Sequence, residues 1–229
     1  MKAKQAGFTL VEIAIVLVII GLLLGGILKG QEMIVQAKIK NVINDMNGVT
    51  AALNSYQDRY RALPGDDKSA ASRWTSTTGM VNGDGDGVIS GKWTPATPAT
   101  DETAQFWLHL RSAGFVAGTG LDNPFNALSG KMGVQTGNGP APSTAATAVM
   151  ATVGPPAIAG FTGLILCSAN LPDKMAISVD AQVDDGNAQT GSVRGVDQAG
   201  VANPAPAAAL TAGYVEDGTK NYLVCRTML

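Results

Sequence analysis

Gly7-Phe8-Thr9-Leu10-Val11-Glu12, followed by Ile13 to Leu28 without a charged or strongly polar side chain, is the stretch from which the rest of the chain is best read. Phe8 to Leu28 matches the roughly 20 residues a helix needs to cross a bilayer. A secretory signal peptide fits poorly, because its apolar core is usually about 7–15 residues and ends at a small-residue cleavage site. Here the apolar run is longer, and no such site precedes Lys29-Gly30-Gln31-Glu32. Lys2 and Lys4 suit a cytoplasmic N-terminus, but Lys29, Lys38 and Lys40 lie beyond the run, so the charge contrast across it is weak.

Glu12 is the informative residue of this stretch. A carboxylate near the end of an apolar membrane helix is costly, roughly 2.5–3.5 kcal/mol for Asp at the helix centre, and calls for a partner. A cut between Gly7 and Phe8 would place a new α-amino group one helical turn before Glu12, on the same face. Cation and carboxylate could then neutralise each other within one chain or between neighbours. The simpler reading leaves Glu12 among the lipid headgroups.

With Gly7, Phe8 and Glu12 in these positions ahead of the apolar run, the segment resembles the class III signal of type IV prepilins and type II secretion pseudopilins. That resemblance covers only the first thirty or so residues and does not say which filament. It implies that a prepilin peptidase cuts after Gly7, that Phe8 becomes N-methylated, and that Glu12 meets a neighbouring subunit's N-terminus during assembly. The implied partners are homologous pilin subunits, the peptidase, an inner-membrane assembly platform and, before assembly, membrane lipid. The implied location is the inner membrane as a single-pass protein, then an extracellular pilus or a periplasmic pseudopilus. One departure concerns Lys29, which stands about where many type IV pilins carry a helix-disrupting proline. Gly21, Gly25, Gly26 and Gly30 occur here instead, in two small-xxx-small pairs that suit loosening or close helix packing in a filament.

After Gly30 the pattern becomes amphipathic. Val35, Ile39, Val42, Met46, Val49, Leu53, Tyr56 and Tyr60 follow a four-three spacing that puts them on one helical stripe. The helix should stop near Leu63-Pro64-Gly65, since the residue before proline avoids helical geometry. The expected organisation is a leader at 1–7, a transmembrane and filament-core helix at 8–30, its amphipathic half at 31–63, and a globular head at 64–229. The expected fold is α+β, a pilin-like lollipop whose long N-terminal helix packs on a small antiparallel β-sheet.

In the head, residues 66–98 read mainly as loop. Asp101 to Ala113 reads as a short helix, with Thr100 as a candidate N-cap and Gly114 beyond its end. Thr136 to Gly160 is a low-complexity Ala/Gly/Pro/Thr stretch. The best strand candidates are Phe161 to Ser168 and Asn221 to Thr227, and each holds one of the two cysteines. Met175 to Val183 alternates in a way that favours a strand, with a short helix as the other reading. If the head is exported, Cys167 and Cys225 form a disulfide, two buried thiols being the alternative. By resemblance, a C-terminal disulfide loop leans towards a pilus rather than a secretion pseudopilus.

Composition narrows the chemistry. A formal net charge of −2 gives no basic excess for nucleic acid. His109 is the single histidine, in a segment with no adjacent nucleophile or metal partner, and no phosphate loop occurs, so no enzyme is expected. Asn82, Asp84 and Asp86 alternate with glycines like the first half of a calcium loop, although the twelfth position is Trp93 and not a bidentate glutamate. The competing reading is a polar turn. Asp184-Asp185-Gly186-Asn187 reads as a second acidic turn. The function expected is therefore a structural filament subunit, a minor pilin by its length. The alternatives are a type II secretion pseudopilin, or a tip adhesin or DNA-uptake minor pilin.

Overall fold

Helix α1 spans Leu10–Tyr60 (51 residues) without a break, through both the apolar run and the amphipathic stripe. The computed structural model describes residues 9–91, 99–136, 160–198 and 213–228. The leader at 1–7, Phe8 and nearly all of the low-complexity stretch lie outside the described residues. The chain divides into two compact units, one ending at Lys38 and the other beginning at Ile39.

In the first unit, every side chain of α1 from Leu10 to Leu28 is exposed. Its most apolar window has a mean hydropathy of 2.8 and no buried residue, long and apolar enough to cross a membrane. Gly21, Gly25, Gly26 and Gly30 leave the helix intact, and a Cβ on any of them would meet nothing within 4 Å. The polar boundary above them carries an exposed Lys29–Glu32 ion pair at 2.7 Å, one turn apart.

In the second unit the same helix buries Ile39, Val42, Met46, Val49, Ala52, Leu53 and Tyr56. Six of the eight residues of the four-three stripe read from the sequence lie on this buried face, while Val35 and Tyr60 at its ends are half-buried. The helix ends three residues earlier than Leu63, where Arg61 takes a left-handed φ of 54° and donates its N–H to the Gln57 carbonyl. After it come α2 (Ala70–Arg73), α3 (Glu102–Ser112) and α4 (Asp173–Val183), with strands β1 (Met132–Thr136), β2 (Leu164–Pro172), β3 (Val193–Asp197) and β4 (Asn221–Thr227). Asp101, not Thr100, occupies the N-cap of α3, and Gly114 follows its end at φ +79°.

The four strands form one antiparallel sheet in the order β1-β2-β4-β3, with Cys167 directly opposite Cys225. These two cysteines are disulfide-bonded, with Cα atoms 3.9 Å apart. Residues alternate across the sheet. One face gathers Ile165, Cys167, Ala169, Leu223 and Cys225 with Phe161 into an apolar cluster. The opposite face includes Arg226, whose Nη1 donates to Asn47 Oδ1 of α1 at 2.6 Å.

The strand reading of Met175 to Val183 is corrected: the segment is α4. Pro172 and Asp173 sit at the start of that helix, where a fixed φ and a negative charge are both favourable. Its buried residues, Asp173, Ala176, Val179 and Asp180, recur at spacings of three and four, and not at every second position.

Strand β2 runs four residues past Ser168 because Asn170 absorbs a register shift between Ser168 and Leu171. Asn170 has φ +62°, a region asparagine tolerates, and its side chain bridges Leu128 O and Asn221 Nδ2. Beside it, Gly130 passes so close that a Cβ would lie 1.8 Å from the Ala169 carbonyl oxygen. Only glycine fits there.

Candidate functional site

The N-terminal site is built by Thr9 and Glu12. The Thr9 backbone N–H and hydroxyl donate to Glu12 Oε2 at 2.7 and 2.8 Å, while the Glu12 N–H donates to Thr9 Oγ1 at 3.3 Å. This is a capping box, in which an N-cap threonine and a glutamate at the third helical position satisfy each other's backbone donors. Glu12 thus stands at the helix start, with its carboxylate exposed. Gly7 and Phe8 themselves lie outside the described residues. The Thr-x-x-Glu signal for this box is present in the sequence and was not read there.

A second site forms where the loop after α1 folds onto α3. Tyr56 donates its hydroxyl to Asp67 Oδ2 at 2.7 Å, and Asp67 takes both Arg73 guanidinium nitrogens and the Ser69 N–H. The Arg73 guanidinium lies over the Tyr60 ring at 4.7 Å and the Trp74 ring at 5.6 Å. Burial alone would raise the Asp67 carboxyl, but Arg73, Ser69 and Tyr56 outweigh it and hold the group below its ordinary range. His109 is fully buried, accepts the Gly65 N–H on Nδ1 (2.9 Å) and faces the Val81 carbonyl with Nε2 (3.0 Å). Those partners fix a neutral ring with the proton on Nε2, and burial depresses its pKa to about 4. The lone histidine therefore pins the loop, stacked 6.3 Å from Tyr56.

Of the three residues read as a calcium loop, only Asp84 enters a cluster, with carboxylate oxygens of Asp66 and Glu102 all within 4.8 Å of one another. Asn82 Oδ1 instead accepts the Ala71 N–H, and Asp86 Oδ1 accepts the Val88 N–H. Asp66 gathers the N–H groups of Gly85, Asp86 and Gly87, while Glu102 gathers those of Asp84 and Ser90. Gly83 allows this fold-back, since a Cβ there would fall 2.2 Å from Asp66 Cα. Burial, then the neighbouring carboxylates, push Asp66 and Glu102 upward against the pull of their N–H donors. Asp66 and Glu102 were not read as partners of this loop, because the three carboxylates are brought together only by the tertiary fold.

A third group, Asp180, Asp184 and Asp185, converges at the end of α4. Asp180 is fully buried and accepts the Tyr214 hydroxyl (2.8 Å) and the Gly186 N–H (3.0 Å). Burial is the main cause that raises its pKa to about 6, with Asp185 and Asp184 adding to it.

Against this geometry, residues 2–28 match the model of the prokaryotic N-terminal methylation motif. The chain carries the class III signal of type IV pilins and pseudopilins. No curated protein and no solved structure matches it. The methylation motif supports a subunit of the pilin-like or pseudopilin kind. It implies assembly with other pilin subunits, processing by prepilin peptidase, and membrane anchoring before assembly.

Proposed function

We propose that this chain is a structural subunit, of the minor kind, of a type IV pilus-like filament. Prepilin peptidase releases residues 1–7, Phe8 becomes N-methylated, and the mature helix waits in the inner membrane before it is drawn into the filament. The observation that carries the proposal is Glu12, held exposed by Thr9 at the start of a helix whose next sixteen residues are apolar and exposed. A carboxylate so placed lies within reach of a cationic N-terminus, its own or a neighbour's, and neutralising it lowers the cost of keeping it in an apolar bundle. The disulfide between β2 and β4 favours a pilus over a pseudopilus.

The test is the mass of the mature N-terminal peptide, from hosts with and without a prepilin peptidase. A peptidase-dependent peptide starting at N-methylated Phe8 is expected. An intact Met1, or a cut beyond Leu28, would refute the pathway. Glu12→Gln should leave processing unchanged and abolish filament assembly.

A second reading, a type II secretion pseudopilin, draws support from the convergence of Asp66, Asp84 and Glu102. In that reading Asp66, Asp84 and Glu102 would hold a calcium ion, a hard cation that takes oxygen ligands, and the bound charge would stabilise the loop. Calcium at millimolar concentration should then raise the Tm of the full chain by several degrees, and Asp84→Asn should remove the rise. Identical Tm values in calcium and in chelator would dispose of the ion.

A further inference from the structure

A groove of about 400 Å³ runs beside α1 in the second unit, lined among others by Asp45, Gly48, Val49, Trp107, Val116 and Phe125. Its rim is rigid. Asn126 is buried and donates to Ser168 Oγ and the Ala169 carbonyl while accepting the N–H groups of Leu128 and Gly130, all at 2.8 Å. The turn that it ties down holds Phe125 63% exposed, the most exposed large apolar side chain among the described residues outside α1. On the α1 side the groove stays open, because a Cβ on Gly48 would meet nothing within 4 Å. Phe125 thus adds exposed apolar surface at the edge of an open groove, where a partner's side chain could cover it.

The charge in this groove is also incomplete. Asp45 is half-buried, its carboxylate accepts the Ala127 N–H at 3.2 Å, and no cation lies within ion-pair distance among the described residues. A half-buried carboxylate with one neutral donor bears a desolvation cost that an added cation would offset. The same helix carries such a cation in Lys40, exposed and without an ion-pair partner among the described residues. Five residues apart, Lys40 and Asp45 lie about 140° round the helix from each other, so one chain cannot pair them. Complementary groups on two different flanks of one subunit suit a heterologous interface, which builds a helical array where its rotation does not close into a ring.

We propose that the groove beside Asp45 receives the Lys40 flank of α1 from a second copy of this chain, the ammonium on the carboxylate and the lysine stem along Phe125. The pairing rests on the filament reading above and names the head-level contact within it. Lysine suits the place, since its stem covers apolar surface while its charge reaches the acid.

The test is disulfide trapping in cells that make the full-length chain and its filaments, with Lys40→Cys and Asp45→Cys copies expressed together or singly. The expected result is a cross-linked dimer at least tenfold more abundant with the two copies together than with either alone. Phe125→Ala should lower that yield several-fold. Charge reversal, read through assembled filament, should cut assembly at least tenfold in Lys40→Asp or Asp45→Lys and recover most of it in the double swap. Filaments that form without the mixed dimer, or cross-links only between identical copies, overturn the pairing and leave the filament reading standing. An Asp45→Cys thiol that stays unreactive to maleimide in unassembled chain also overturns it, because the chain's own residues then fill the groove. Failure of the filament reading shows separately, as unprocessed Met1 and no filament from the unaltered chain, and removes this pairing with it.

Discussion

From Leu10 to Leu28 every side chain of α1 stands exposed, whereas from Ile39 to Tyr56 a stripe of the same helix is buried. The backbone is one continuous helix, so the difference lies in where the apolar surface finds its partner. The first half carries apolar residues on all sides, every one of them exposed among the described residues, which suits lipid or other helices. The second half confines them to one face, and this chain supplies the cover. A helix read only for its hydrophobicity would blur these two; the change of period from uniform to four-three separates them.

The comparison can be broken most forcefully at the disulfide. Cys167 and Cys225 are 58 residues apart in sequence, and a loop of that length contributes on the order of 4 kcal/mol in the chain-entropy model. Cys167→Ser with Cys225→Ser should lower head stability by that order while membrane insertion of the first half is unchanged. Urea unfolding of the full chain in micelles, followed by tryptophan fluorescence, measures it, since Trp74 and Trp107 both lie in the second unit. Next comes Leu53→Ala. Leu53 is fully buried, and its truncation should cost about 3 kcal/mol in the same experiment. The matched change in the first half, Leu23→Ala, removes as many carbons from an exposed position and should leave the head's unfolding within about 0.5 kcal/mol. Equal losses from the two would mean that the halves are not energetically distinct.

A smaller effect is expected where a polar network, and not apolar area, joins the helix to the loop that follows it. Asp67 ties Tyr56 of α1 to Arg73, and Asp67→Asn keeps the shape but removes the charge. The loss should be about 2 kcal/mol, the range of a buried charge-assisted hydrogen bond. Because Arg73, Ser69 and Tyr56 hold the Asp67 carboxyl below its ordinary range, the loss should shrink in acid, as the unaltered carboxyl also becomes protonated.

How far the sequence carried depends on whether a feature is local. The stripe from Val35 to Tyr60, the strand at Asn221 to Thr227 and the methylation motif are each written in consecutive residues. Strand β1, Met-Gly-Val-Gln-Thr, and strand β3, Val-Arg-Gly-Val-Asp, were missed because each is five residues long with an internal glycine. Their strand character comes from pairing with β2 and β4. In α4, Ile177, Val179, Ala181 and Val183 alternate, while the burial that decides the matter follows Asp173, Ala176, Val179 and Asp180. The Asp66–Asp84–Glu102 cluster was illegible for a different reason. Its successive members are 18 residues apart in sequence and meet because His109 and Glu102 draw the loop onto α3.

The smallest expected effect is a near-cancellation, and it sets two buried groups of the head against each other. His109 has its pKa depressed to about 4 from an ordinary 6.5, so between those values the unfolded chain binds more protons than the folded one. Its contribution to stability is full above pH 6.5 and is lost as the pH falls towards 4, by on the order of 3 kcal/mol. Asp180 runs the other way, with a pKa raised to about 6 from an ordinary 3.8. Protonation of Asp180 adds stability that is full below pH 3.8 and gone above about 6, again on the order of 3 kcal/mol. Across pH 4–6 the two slopes oppose, so the unaltered head should change by only about 1 kcal/mol on their account. Asp180→Asn removes one slope, and its stability should fall steadily as the pH drops from 6.5 to 4. His109→Gln removes the other, so whatever its stability at pH 7, it should gain as the pH drops from 6 to 4. Urea midpoints at half-unit pH steps would decide this. Parallel profiles for the two variants would mean that neither group titrates where its burial places it.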